Sequence, residues 1–385
     1  MNRRNFLRSF GAVSILVAGG VVWRAYKEGV FSTGEGPAYQ EWTDWKKDQS
    51  DGLLGLVHSA LLAASPHNTQ PWLFRMSESR IDLFADTERN LGAIDPYFRE
   101  MYIGLGCALE NLLLAAKANA YDYQLEYLPD ASNASHVATI NFENGEKTAS
   151  ALFHAIPHRH TFRGPHNLNK RVSSHTRNSM SMLGNEFVNV KLLWLEKQAD
   201  RNLFFDLNAA ATEELINDEE QSKASFKWFR NSWQELQNKK DGVFIDTTGI
   251  SASFRAMAKI LPPVSRETGD QYFLDAMKNL RDSSGMVGIL VAKNSADNLQ
   301  RVQGGRFWQR LHLWGTINDL VLQPINQIPE RIDRIDNLGG KSLLAEKMQS
   351  LVNDTDWQVL MPFRMGYSKQ PVFPSPRRHV KDCVI

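Results

Sequence analysis

The sequence predicts an α+β fold, with a central mixed sheet flanked by long helices and an order of elements that recurs in two halves of the chain. The first ground is Tyr97–Tyr121, where Met101, Leu105, Ala108, Leu109, Leu112, Leu113 and Ala116 fall on one broad stripe, as in a long buried helix. A second long helix is expected over Arg301–Leu322. Another ground is Met286–Ala292, apolar throughout between Gly285 and Lys293, which suits a central strand buried on both faces. Finally, the two halves echo each other in the order of their elements, although as bare sequence the repeat is weak.

The chain opens Met1-Asn2-Arg3-Arg4-Asn5-Phe6-Leu7-Arg8 and then runs apolar from Phe10 to Trp23, with Gly11, Gly19 and Gly20 inside the run. That run is shorter than the roughly 20 residues a spanning helix needs, and its glycines moderate it, as in a signal peptide. The paired arginines with Phe6 and Leu7 resemble a twin-arginine export signal. A chance Arg-Arg before a buried helix is the alternative. No clear Ala-x-Ala site follows, so retention of residues 1–30 as an anchor stays open beside cleavage. Residues 31–50 are expected to hold a small, polar linker and the start of the core, near Tyr39.

A first half is expected over 51–146. Leu53–Ala64 has helical spacing and ends at Ser65-Pro66-His67-Asn68-Thr69-Gln70-Pro71, a loop because proline restricts itself and its predecessor. Trp72–Arg75 and Ile81–Ala85 read as a strand hairpin, and Gln124–Leu128 and Val137–Phe142 as two more strands. The second half, 147–385, is expected to begin with a helix over Thr148–Ile156 and a turn over Pro157–Pro165. Val188–Leu195 then reads as a strand, two helices occupy roughly 198–240, and Gln358–Tyr367 is the last strand. A lid is an option over 220–275, where Phe226, Trp228, Phe229 and Trp233 also fit an ordinary buried helix.

Composition excludes some functions. With 44 Lys and Arg against 43 Asp and Glu there is no global field to hold a polyanion, so nucleic-acid binding is not expected. Two cysteines, Cys107 and Cys383, make neither a disulfide framework nor a metal cluster, and both are expected as free thiols.

Three segments concentrate groups able to bind a ligand. Ser65–Trp72 offers backbone and amide hydrogen bonds to a flat heterocycle, or is a polar turn with Trp72 filling the core. Arg159 and Arg163, framed by Pro157 and Gly164, suit bidentate contact with phosphate, or form a solvated basic loop. Ser375-Pro376-Arg377-Arg378-His379 repeats arginine beside proline and could equally be an exposed tail.

From about Asp51 to Val380 these segments resemble the nitroreductase superfamily, and within it the Acg-like branch whose chain carries two nitroreductase-like halves. The resemblance rests on Asn68-x-Gln70-Pro71-Trp72, Asp95 through Arg99, and Gly104-Leu105-Gly106-Cys107-Ala108-Leu109-Glu110-Asn111-Leu112. It extends to Arg159-x-Thr161-x-Arg163 and to Arg364-Met365-Gly366-Tyr367 with Ser375-Pro376-Arg377-Arg378. It implies a nitroreductase-like fold, an intrachain pseudo-dimer and a single flavin mononucleotide, FMN. By position, Arg159, Arg163 and Arg377 or Arg378 would hold the phosphate. Ser65, Pro66, Asn68 and the neighbouring Gln70 would line the ring, and Pro324-Ile325-Asn326-Gln327 would run beside the flavin N5 edge. Asn326 and Gln327 depart from the acidic residue or glycine usual there.

The expected function is FMN-dependent reduction of a small electron-poor organic molecule by ping-pong chemistry, with no metal and no catalytic triad. If exported, the chain does not meet the cytoplasmic NAD(P)H pool, so a membrane quinol or a partner reductase would donate electrons. It would be periplasmic or anchored at the outer face of the inner membrane, touching the membrane only through its N-terminal segment. The competing readings are a lidded protein that stores FMN without turnover, and a cofactor-free binding protein.

Overall fold

The computed structural model describes residues 20–48 and 52–385. The twin-arginine motif and most of the apolar run after it lie outside the described residues. Residues 20–27 are helical.

Where one central mixed sheet is expected, two four-stranded sheets stand, and every neighbouring pair of strands is antiparallel. The first contains β1 (Trp72–Met76), β2 (Arg80–Ala85), β3 (Tyr121–Tyr127) and β4 (His136–Asn144), in the order β1-β2-β4-β3. The second contains β5 (Val190–Trp194), β6 (Met286–Ala292), β7 (Leu320–Pro324) and β8 (Gln358–Tyr367), in the order β5-β6-β8-β7. The physical reason is the same in each. A helical crossover from β2 to β3 brings β3 back parallel to β2, but β4 enters between them and opposes both. In the second sheet β8 enters between β6 and β7 in the same way. β6 is buried along its whole length, as its apolar run requires.

The helices are α1 (Gln40–Asp48), α2 (Leu53–Leu61), α3 (Arg99–Ala118), α4 (Ala151–Ala155), α5 (Ser174–Met182), α6 (Gln198–Asn217) and α7 (Glu219–Phe226). They continue with α8 (Trp233–Lys239), α9 (Ala252–Ile260), α10 (Arg266–Lys278), α11 (Leu280–Ser283), α12 (Asn298–Ile317), α13 (Gln327–Asn337) and α14 (Leu343–Val352). The stretch 198–240 thus holds three helices, not two.

Periodicity overran both long helices. Apolar residues continue past Ile317, yet the chain turns there: Asn318 donates its side-chain amide to the Trp314 carbonyl, Asp319 takes a left-handed φ of 58°, and Leu320 opens β7. At the end of α3, Asn119 donates to the Ala115 carbonyl, Ala120 has φ 62°, and Tyr121 opens β3. At each end an asparagine caps the last turn and the residue after it turns left-handed, a local signal that the apolar stripe does not carry.

α3 and α12 pack on each other at the centre of the main core, which reaches into both sheets. Their backbones touch at glycine. A Cβ at Gly106 would lie 2.1 Å from the Val302 carbonyl oxygen, and one at Gly305 would lie 2.0 Å from that of Ile103. The contact is reciprocal, each glycine meeting the turn that precedes the other. Around it a buried polar network crosses between the helices: Arg306 donates to Glu110 at 2.8 Å, Gln309 to Asn111 at 2.8 Å, and Asn111 to the Ser59 carbonyl of α2 at 2.9 Å. Cys107 lies in this contact as a free thiol that burial pushes up to about 12, which makes it a small apolar side chain.

Helix propensity alone would make any interior glycine better replaced by alanine, by up to about 1 kcal/mol. Gly269→Ala in α10, with only ordinary contacts at 3.6 Å, is expected to gain that stability in urea unfolding. Gly106→Ala is expected to lose about 1–3 kcal/mol through overpacking. Equal effects at the two positions would contradict a backbone contact between the long helices.

Candidate functional site

Loops from distant parts of the sequence converge on one cleft. Ala64, Ser65 and Asn68 come from the turn after α2, Arg159 to Thr161 and Arg163 from the turn after α4, and Ser375 and Arg377 from the C-terminal tail. Gly242, Val243 and Thr247 close one side. The cleft is small and partly open, with a free cavity volume of about 30 Å3.

The first loop is held in a conformation its residues do not favour. His67, Asn68 and Gln70 have φ of 43°, 56° and 53°, all left-handed without glycine. Side chains supply the compensation. The Gln70 amide donates to the Lys240 carbonyl at 2.9 Å, and its oxygen accepts from the Arg378 backbone at 2.8 Å. Asn68 donates to the carbonyls of Gly242 and Pro376 at 3.2 and 3.0 Å, and accepts from Arg377 at 2.8 Å. Asn68 lines the cleft with both ends of its amide spent on the protein, whereas Gln70, wholly buried, braces the loop from outside the lining, as Pro66 does. Pro66 packs beneath the loop, against Gly104 of α3.

The tail reaches this loop by crossing back to the first sheet. Phe74 of β1 donates to the Cys383 carbonyl at 2.7 Å, and Arg377 donates from its backbone to the Ala38 carbonyl at 2.7 Å. Trp42 donates to the Ser375 carbonyl at 2.8 Å, and its ring lies 4.6 Å from the Arg377 guanidinium.

Three guanidinium groups line the cleft, and none forms an ion pair with a carboxylate among the described residues. Arg159 donates to the Leu62 carbonyl and to His312 Nδ1, each at 3.2 Å; Arg163 donates to the Thr247 carbonyl at 3.0 Å. Arg377 donates to Asn68, to the Pro376 carbonyl at 2.8 Å and to the Ala63 carbonyl at 3.0 Å. Carbonyl dipoles fix the positions of these cations but leave their charge uncompensated. Burial accordingly pushes Arg159 and Arg163 down to about 10, and burial with the nearby Arg159 lowers Arg377 further. All three still carry their charge near neutral pH. The buried Nε of Arg159, Nε of Arg377 and Nδ1 of His160 have no hydrogen-bond partner. Burial and the arginines keep His160 well below the usual histidine range, so its ring is neutral. Such a set of donors fits a dianionic phosphate, for which charge-assisted bonds are strongest.

Not every expected residue comes here. Arg378 faces the other side of the tail, donating to the Gln70 carbonyl at 3.0 Å and to the Asp382 carbonyl. Pro324 ends β7, and Ile325 is buried with its backbone donating to the Pro362 carbonyl at 2.9 Å. Asn326 and Gln327 start α13, each with a side-chain oxygen that lacks a partner, and Asn326 lies beside the buried carboxyls of Glu100 and Glu330. Asn326 belongs to this acidic cluster, and neither residue lines the arginine cleft. His160, Thr161, Gly242, Val243, Thr247 and Ser375 were not among the expected site residues. His160 and Thr161 could have been found between their flanking arginines, whereas nothing in the local sequence marks Val243 or Thr247.

Glu330 and Glu100 are hydrogen-bonded to each other out of reach of water, so burial and mutual repulsion raise Glu330 far above the carboxylate range and keep a proton on it. Above the unfolded value near 4.5 the unfolded chain releases a proton that the folded chain holds, and stability falls as pH rises. Glu330→Gln carries no such proton. Its stability relative to the native chain is expected to increase from about pH 5 to about pH 8; a pH-independent difference in urea midpoints would refute the shared proton.

No family model matches the chain. Over 106 residues it is 33% identical to a Mycobacterium tuberculosis protein provisionally named an NAD(P)H nitroreductase, covering 27% of this chain and 31% of that one. Over 93 residues it is 32% identical to acg of the same organism, provisionally named likewise, covering 24% and 28%. The chain thus spans less than a third of the length of the curated relatives it matches. Among solved structures it is similar to a Bacteroides fragilis nitroreductase with bound FMN, at 10% identity and TM-score 0.33, covering 60% of this chain and 95% of that one. It is similar also to the FMN-dependent nitroreductase NfnB of Mycobacterium smegmatis in complex with NADPH, at 16% identity and TM-score 0.38, covering 60% and 96%.

Proposed function

We propose that the cleft binds FMN and that the chain is an FMN-dependent oxidoreductase of nitroreductase type, reducing a small electron-poor organic molecule such as a nitroaromatic or a quinone. One observation carries the reading: the buried Arg159 and Arg377 and the half-buried Arg163 surround a single cleft with no carboxylate partner among the described residues. The similarity to provisionally named nitroreductases supports it. Arg159, Arg163 and Arg377 would hold the phosphate, and the turn around Ser65 would border the ring. Bound there, the flavin would supply the electron transfer, alternating between donor and acceptor. The repeated strand order and the reciprocal contact of Gly106 and Gly305 support a reading of the chain as an internal pseudo-dimer. Export by the twin-arginine route, to the periplasm or an anchored position there, belongs to the same proposal. A quinol or partner reductase would then be the electron donor.

A second reading, storage of FMN under a lid, is favoured by the contacts of residues 240–247. They lie across the cleft, bonded to Asn68, Gln70 and Arg163, and Asp241 is clamped by Arg89 and by Arg230 at 2.6 Å.

The purified chain is expected to be yellow and to bleach with dithionite. Turnover of an acceptor with a quinol or a reductase marks the enzyme; bleaching with dithionite alone marks storage. Arg163→Gln, which removes one hydrogen bond inside the protein, is expected to weaken FMN binding about 10- to 100-fold in a fluorescence titration. A colourless chain that does not take up added FMN would sink both readings.

A further inference from the structure

α9 is built inside out. Phe254, Met257 and Leu261 recur at helical spacing and are 61%, 50% and 53% exposed, with Ala258 exposed between them. Its polar side chains point inward instead: Lys259 is buried, 2.7 Å from Asp246, and Arg255 is 3.6 Å from the same carboxylate. A surface helix ordinarily turns its apolar stripe to the core. Here the ion pairs fix the opposite orientation, and Ile250 and Val264 extend the apolar face at either end.

A second apolar element lies against the first. Lys259 also donates to the Gly29 carbonyl at 2.9 Å, tying α9 to residues 29–33. Those follow directly on the helical residues 20–27, where Val21, Val22, Trp23 and Tyr26 are exposed, as is Phe31. In sequence this segment continues the apolar run from Phe10 to Trp23, which follows Arg3, Arg4 and Arg8. Arg24 and Lys27 are exposed on the same helical turns, and the Lys27 ammonium lies 5.3 Å over the Trp23 ring.

We infer that α9 and residues 20–31 form a membrane-docking surface, laid flat on an anionic lipid bilayer at the boundary between headgroups and acyl chains. Apolar side chains enter the acyl region, Trp23 and Tyr26 sit at the interface, and Arg24 and Lys27 meet the phosphates. Lipid is the occupant because the face is continuous with the apolar N-terminal run, which needs the same environment, and because its flanking cations match anionic headgroups. Where residues 1–30 are retained, docking by α9 adds a second point of attachment that orients the chain on the membrane. The inference is independent of the flavin reading.

The test uses the full chain with Met257→Cys, labelled with an environment-sensitive fluorophore; Cys107 and Cys383 are buried and stay unlabelled in the folded protein. Vesicles of phosphatidylethanolamine and phosphatidylglycerol are expected to shift the emission to the blue. Adding Phe254→Ser and Leu261→Ser should raise the lipid concentration for half the shift about tenfold. The thermal midpoint should stay unchanged, since both side chains are exposed. A probe that stays silent while the chain floats with vesicles would show attachment through the N-terminal run alone and overturn the inference. So would an unchanged lipid requirement, or a shift that follows protein concentration without lipid, the signature of a second copy.

Discussion

The backbone contact between α3 and α12 is the constraint on which the rest of the structure depends. With Gly106 and Gly305 at the crossing, two long helices lie closer than any side chain allows, and residues beyond the crossing become placement devices. Gln309 of α12 accepts from the Ala64 backbone and donates to Asn111, so the turn after α2 is referenced to both helices. His312, one turn on, accepts from Arg159 and donates to the His160 carbonyl, which defines its tautomer and the position of the second loop. The cleft is thereby built on the crossing, with its loops held by rigid elements beneath them.

Burying cations beside carbonyls, with acids kept away, has an energetic consequence. A buried guanidinium whose partner is a carboxylate is neutralised and can serve structure alone, as Arg306 and Arg310 do on Glu110. One whose partners are dipoles keeps its charge and its appetite for an anion. The same chain thus sorts its buried arginines into two kinds. The segment 240–247 closes one side of the cleft, with the carbonyls of Thr247 and Gly242 accepting from Arg163 and Asn68.

The ion pairs of Asp246 connect the segment 240–247 to the inverted helix. Asp246 lies one residue before Thr247, and it holds Arg255 and Lys259 of α9, while Lys259 holds the segment after the N-terminal helix. Cleft and apolar surface therefore meet within a short stretch of chain.

By itself the sequence determined the α+β class, the two long buried helices, the wholly apolar strand Met286–Ala292 and the identity of the arginine-rich loops, since these follow from periodicity, composition and short motifs. Local pattern could not separate one mixed sheet from two antiparallel ones, because insertion of β4 and β8 between other strands is a choice among distant pairings. Nor did hydrophobic period locate the ends of α3 and α12, where Asn119-Ala120 and Asn318-Asp319 turn the chain through a left-handed φ. Which of Arg377 and Arg378 faces the cleft was decided by the path of the tail across Phe74, and Val243 and Thr247 became lining residues only through the path of residues 240–247. These properties are long-range: each depends on which surfaces meet, and that is an outcome of packing the whole chain.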